Sequence, residues 1–163
     1  MGRRDNAVAR LVADRGRFLR AEAGVCQLVQ VLLEQGQFAE AAGLPAVLHW
    51  EREYPLPRGR ADFVLFHADG SITALEVKKA GDEHRAILGA IGQVISYGVQ
   101  LGYARLPMAI RLMVAADMTG AESLLMSQAC AAAGVQWLPL GCMAEHEQPW
   151  IEMLEVCNGR QQA

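Results

Sequence analysis

Apolar positions along the chain change spacing from helical to alternating and back, and the changes mark out the elements. Val25, Leu28, Val29 and Leu32 recur at helical spacing within residues 20–35, and Gly36 supplies a stop. Residues 47–56 read as a first strand, closed by Pro55, Pro57 and Gly59. Residues 62–66 and 72–79 read as two more strands, joined by the hairpin signal His67-Ala68-Asp69-Gly70-Ser71. A helix opens at Asp82 or Glu83 and runs to about Leu101; its stripe of Leu88, Ile91, Ile95 and Val99 is expected to face the core. Residues 108–116 form a β-branched, apolar strand. Thr119 caps a helix that runs to about Ala133 and stops at Gly134. A short strand follows at 136–140, and 150–156 is a candidate extra one. The order αβββαβαβ predicts an α/β fold, a mixed central sheet flanked by helices.

Hairpin geometry decides which side chains meet. Residues i and i+2 of a strand share a face, so Glu76 and Lys78 point the same way as Ala74. A two-residue turn at Asp69-Gly70 would set Asp62 opposite Val77, on the wrong face. A three-residue loop, Ala68-Asp69-Gly70, with Gly70 left-handed, sets Asp62 opposite Glu76 instead. The sequence therefore permits two carboxylates and a lysine to converge at one sheet edge.

Those residue types suit phosphodiester hydrolysis, which needs an activated water, neutralised phosphoryl oxygens and help for the leaving alkoxide. Hard divalent cations such as Mg²⁺ provide this and take oxygen ligands. Asp62 and Glu76 would supply carboxylate oxygens, the carbonyl of Val77 a third ligand, and Lys78 a charge beside the transferring phosphate. The competing reading of Glu76 and Lys78 is a same-face ion pair on an exposed strand. Two unpaired carboxylates repel, so removing either is expected to leave metal-free stability unchanged or raised. On the following helix Gln93 and Tyr97 share a face with Ala86, Gly89 and Ala90. That face leaves room for a nucleic-acid strand, and Tyr97 offers a ring for stacking on a base; the alternative is a polar helix surface with Tyr97 packed at a rim.

Composition narrows the remaining classes. A chain of 163 residues with 52% hydrophobic and 20% charged content is long enough for one core, and it shows no repeat or linker. Residues 1–163 therefore read as a single domain, its core at about 20–140, with a basic helical segment before it and an apolar extension after it. No apolar run approaches a membrane span, and the basic N-terminus lacks the apolar segment of a secretory signal. The expectation is a soluble, cytoplasmic protein that does not engage membranes. Net charge is −3, which gives no global attraction to polyphosphate. Six of the 15 basic residues (Arg3, Arg4, Arg10, Arg15, Arg17 and Arg20) nevertheless fall in the first twenty positions. They read equally as a strip for a phosphate backbone and as a solvated helix face. Arg52, Arg58 and Arg60 crowd the approach to Asp62. Cys26, Cys130, Cys142 and Cys157 have no metal-ligand spacing and read as reduced thiols in or near the core. The four histidines, His49, His67, His84 and His146, show no paired spacing and read as surface or loop residues. A P-loop, a nucleophile triad and a dinucleotide fingerprint are absent.

Taken in order, Gly59-Arg60-Ala61-Asp62, Glu76-Val77-Lys78 and Gln93-Val94-Ile95-Ser96-Tyr97 resemble the PD-(D/E)xK nuclease superfamily, the restriction-endonuclease-like fold. The likeness is strongest to its RecB-like and Holliday-junction-resolvase-like branches, whose αβββαβ core matches residues from about 20 to 116. Ala61 stands where the family name has proline, and the scattered late cysteines exclude the iron–sulfur cluster of some members. The resemblance implies Mg²⁺-dependent cleavage of DNA, with Mn²⁺ able to substitute. It implies Asp62, Glu76, Lys78 and Gln93 as catalytic residues and Asp62, Glu76, Val77 and a first-helix acid, Glu22, as metal ligands. Tyr97, Arg58, Arg60 and Lys79 would contact nucleic acid, and a homodimer is an option because junction-resolving members act on two strands. Two other classes stand beside this one. One is a catalytically inactive nuclease fold that binds DNA or a protein partner. The other is an interaction protein docking through Trp150, Ile151, Met153, Leu154 and Val156.

Overall fold

The structure, a computed structural model, describes residues 22–79, 84–105, 109–116, 118 and 120–140. Its elements are α1 (Glu22–Glu34), α2 (Phe38–Ala42), β1 (Val47–Pro55), β2 (Arg60–His67), β3 (Ile72–Lys78), α3 (His84–Arg105), β4 (Ile110–Ala116), α4 (Gly120–Ala132) and β5 (Gln136–Pro139). The five strands form one sheet in the order β1-β2-β3-β4-β5. β2 runs antiparallel to its two neighbours, β1 and β3, while β4 and β5 run parallel to β3. This is the mixed, helix-flanked α/β sheet that the sequence pattern predicts. The five-residue helix α2 was not expected. It ends in a left-handed Gly43, whose φ is 65°, with Leu44 N–H donating to the Ala39 carbonyl at 2.8 Å. The basic N-terminal segment and residues 150–156 lie outside the described residues.

The β2–β3 hairpin takes the three-residue loop. His67 N–H donates to the Ser71 carbonyl at 3.0 Å and Gly70 N–H to the His67 carbonyl at 3.0 Å, while Gly70 sits at φ 82°. Phe66 then pairs with Ile72, Val64 with Ala74, and Phe63 with Leu75. One step further, Asp62 and Glu76 come opposite each other.

Asp69 ties this loop to β4. Its carboxylate accepts from the Ser71 hydroxyl and backbone N–H and lies 3.3 Å from an Arg111 guanidinium nitrogen, and Arg111 also donates to the Ser71 hydroxyl. The two Ser71 bonds, with Arg111 adding to them, lower the Asp69 pKa from 3.8 to about 2. A depressed carboxyl contributes stability that is complete above its ordinary pKa and is lost as pH falls through the lowered one. Urea melts stepped from about pH 4 to pH 2 should therefore show a loss of stability that is smaller in Asp69→Asn than in the wild type.

Two cores form, one on each face of the sheet. Phe63, Leu65, Leu75, Val77, Met113 and Ala115 pack under α1 and α2 with Val25, Leu28, Val29, Leu32 and Phe38. Val64, Ile72, Ala74 and Val114 pack on the other face, under α3 and α4. The face that α3 buries differs from the expected one. Ile87, Ala90, Ile91, Val94, Tyr97 and Leu101 are buried, whereas Leu88, Ile95 and Val99 are exposed. Close approach is the reason: a methyl group at Gly98 would stand 2.5 Å from a Leu112 methyl. A side chain at that position would hold the helix off β4, so the stripe containing Gly98 turns inward, with Ile87, Ile91 and Leu101 packed along it.

Cys26 and Cys130 are buried, as expected for those two, while Cys142 and Cys157 lie outside the described residues. His67 corrects the surface expectation. It is buried, with Nδ1 2.9 Å from the Pro45 carbonyl and Nε2 2.7 Å from the Thr73 hydroxyl. Among the described residues no helix is long and apolar enough to cross a membrane.

Candidate metal centre

The ladder between β2 and β3 ends at Phe63 and Leu75, and the acidic residues stand immediately beyond it. Val77 N–H donates to Asp62 Oδ2 at 2.8 Å instead of to a strand carbonyl. Within a strand the N–H and C=O of one residue point to the same neighbour. The Val77 carbonyl is therefore directed to the Asp62 side as well. Asp62 is half-buried, and Glu76, opposite it on the α3 face of the sheet, is 3% exposed.

Both oxygens of Glu76 have donors. Lys78 Nζ lies 2.7 Å from Oε1 and the Tyr97 hydroxyl donates to Oε2 at 2.9 Å. The Lys78–Glu76 pair is well shielded, with side chains 15% and 3% exposed. A buried carboxylate held by an ammonium and a phenol is stabilised, not repelled. That reverses the expectation that removing Glu76 would leave stability unchanged or raised.

Asp62, Glu76, Val77, Lys78 and Tyr97 are thus brought together by β2, β3 and α3. Tyr97 takes a different place from the one expected of a stacking residue. It is 9% exposed and acts through its hydroxyl on Glu76. Gln93, one turn earlier on α3, is exposed, as is Lys79 just past β3. Arg58 and Arg60 are exposed at the β1–β2 turn that leads into Asp62, with an Arg60 nitrogen 3.8 Å from Glu53. Glu22 begins α1, which packs on the face of β3 opposite Glu76, and its side chain lies outside the described residues. Gln100, one turn beyond Tyr97, was not singled out by sequence, although its spacing from Gln93 and Tyr97 puts it on the same helix face.

Among the described residues no three His, Cys, Asp or Glu side chains cluster as a metal site. The donors present are two carboxylates and a backbone carbonyl, all hard oxygens. That set fits Mg²⁺, which keeps several waters and needs only one or two protein carboxylates. Each Glu76 oxygen has a second lone-pair site beyond the one its donor uses, so neither hydrogen bond bars coordination.

No family model and no curated protein matches the chain. Solved structures do. A repair endonuclease from Pyrococcus abyssi superposes with a TM-score of 0.52 at 18% identity, over 70% of this chain and 45% of that one. EndoMS in a dsDNA complex gives a TM-score of 0.51 at 19% identity, over 70% and 43%. What is shared is the fold. The chain spans less than half the length of either protein.

Proposed function

We propose that the protein is a metal-dependent nuclease of the PD-(D/E)xK type that hydrolyses DNA phosphodiester bonds. The observation that carries this is the placement of Asp62, Glu76 and Lys78 on one face, where β2 parts from β3, with the Val77 carbonyl aimed into the same opening. The fold shared with a repair endonuclease and with EndoMS bound to dsDNA supports DNA as the substrate class.

Asp62, Glu76 and the Val77 carbonyl would hold Mg²⁺. When bound, Mg²⁺ supplies Lewis acidity and lowers the pKa of a coordinated water. The chain's own groups do the rest. Lys78 sets a positive charge beside the carboxylates, where negative charge grows on the phosphoryl oxygens. Tyr97 fixes the rotamer of Glu76 through its hydroxyl. Exposed Arg58, Arg60 and Lys79 border this end of the sheet and would meet the phosphate backbone.

The test is incubation with labelled duplex, single-stranded and branched DNA in Mg²⁺, Mn²⁺ or EDTA. Cleavage with either metal and none in EDTA is expected. DNA binding without cleavage in any metal would leave an inactive DNA-binding module, and the absence of both binding and cleavage would overturn the proposal. Tyr97→Phe provides a finer test. Loss of a group that orients a metal ligand costs about 10–100-fold in metal affinity or activity. The Mg²⁺ titration of cleavage should therefore shift to higher concentration by about that factor.

A further inference from the structure

The turn between β1 and β2 carries Arg58 and is held to α3 by one side chain. Leu56 N–H donates to the Gly59 carbonyl at 3.0 Å, closing the turn, and Gly59 takes φ 90°. Arg58 stands at the tip, where a chain is ordinarily freest. Its backbone is nevertheless held from both sides. Arg58 N–H donates to Gln100 Oε1 at 2.8 Å, and Gln100 Nε2 donates back to the Arg58 carbonyl at 3.3 Å. The same Nε2 donates to the Ser96 hydroxyl at 3.2 Å, which orients the amide. Gln100 thus stands in for a strand partner that the turn lacks.

We infer that Gln100 is a positioning residue, which fixes the Arg58 turn in place for a DNA phosphate backbone; this rests on the nuclease reading. Two observations point beyond a plain structural tie. The residue whose main chain is clasped is an exposed arginine, four positions before Asp62. The clasping helix is also the one whose Tyr97, one turn earlier, bonds Glu76. Gln100 therefore fixes the cationic turn in the same frame as the carboxylate. Ordering that turn before DNA arrives removes an entropic cost from binding.

The experiment measures affinity for fluorescein-labelled duplex DNA in EDTA across a salt series, for wild type, Gln100→Met, Arg58→Ala and the double variant. Methionine keeps the length and helix propensity of glutamine and makes neither bond to Arg58. Gln100→Ala repeats the cycle with a smaller side chain, and Ser96→Ala, which removes only the contact that orients the amide, should shift binding in the same direction by less. Gln100→Met is expected to weaken binding about threefold to tenfold, the worth of one or two modest hydrogen bonds. It should also lower the slope of log affinity against log salt by about one, as a lost phosphate contact does. In the Arg58→Ala background it should change nothing further. A structural tie alone would lower the melting temperature but leave the salt slope unchanged. An unchanged slope, or effects of Gln100→Met and Arg58→Ala that simply add, overturns the role of Gln100 while cleavage by the wild type keeps the nuclease reading. A wild type that neither binds nor cleaves DNA overturns that reading, and this inference with it.

Discussion

Replacing Glu76 with alanine should abolish metal-dependent cleavage and also destabilise the metal-free protein. The first effect follows from removing one of two carboxylate ligands, without which the cation is held by Asp62 and a carbonyl alone. The second follows from the partners left behind. Lys78 is paired with Glu76 at 2.7 Å in a site where the two side chains are 15% and 3% exposed, and Tyr97 loses its acceptor. Removing one member of such a pair typically costs about 3–5 kcal/mol; the remaining exposure of Lys78 argues for about 3 kcal/mol. For a chain of this size that corresponds to a fall of about 6–12 °C in melting temperature. Glu76→Gln keeps a carbonyl oxygen for Lys78 and an N–H that the Tyr97 hydroxyl can turn to accept, and should lose activity with a smaller thermal shift. Asp62→Ala should lose activity equally, its carboxylate being half-buried and engaged with the Val77 N–H. Thermal melts in EDTA beside cleavage assays in Mg²⁺ separate the two effects. A Glu76→Ala protein that keeps both its stability and its activity would refute the account of this residue.

Lys78→Ala should lower kcat by about 10²–10³, the range seen when one donor to a developing oxyanion is removed, with DNA affinity changed far less. Its effect on the metal has the opposite sign. Without the ammonium, Glu76 is a buried carboxylate short of a counter-ion, and a divalent cation is the group best able to supply the charge. Mg²⁺ should then raise the melting temperature of Lys78→Ala by more than it raises that of wild type. Single-turnover cleavage at saturating DNA reads the first effect and melts across a Mg²⁺ series the second. Arg58→Ala should show the converse pattern, with weaker binding, a flatter salt dependence and little change in kcat. Equal losses from Lys78→Ala and Arg58→Ala in binding alone would point to an inactive DNA-binding module.

The register of the β2–β3 hairpin was legible because of one glycine. Gly70 accepts the left-handed conformation that a three-residue loop requires, and that loop sets Asp62 in register with Glu76, on the Glu76 face of the sheet. Strand alternation then carries Lys78 to the same face. The α3 surface was misread for a physical reason. Hydrophobicity alone does not separate Leu88, Ile95 and Val99 from Ile87, Val94 and Leu101, whereas the close seating on β4 at Gly98 decides which stripe faces inward. Tyr97 was placed near the site by its spacing from Gln93, but spacing does not say whether a phenol presents its ring or its hydroxyl. Only the packing of α3 against β3 turns the hydroxyl onto Glu76. Gln100 escaped notice and His67 was misread as a surface residue because each acts on main-chain or hydroxyl groups elsewhere in the fold, at Arg58 for one and at Pro45 and Thr73 for the other. No local pattern encodes such contacts.

One divalent cation is expected between Asp62, Glu76 and the Val77 carbonyl. Anomalous scattering from a crystal of the protein soaked in Mn²⁺ measures this directly. The account predicts a peak within about 2.0–2.6 Å of an Asp62 oxygen, a Glu76 oxygen and the Val77 carbonyl, absent from a Glu76→Gln crystal treated in the same way. A site left empty in Mn²⁺ under conditions that support cleavage, or a peak held by other residues, would contradict it.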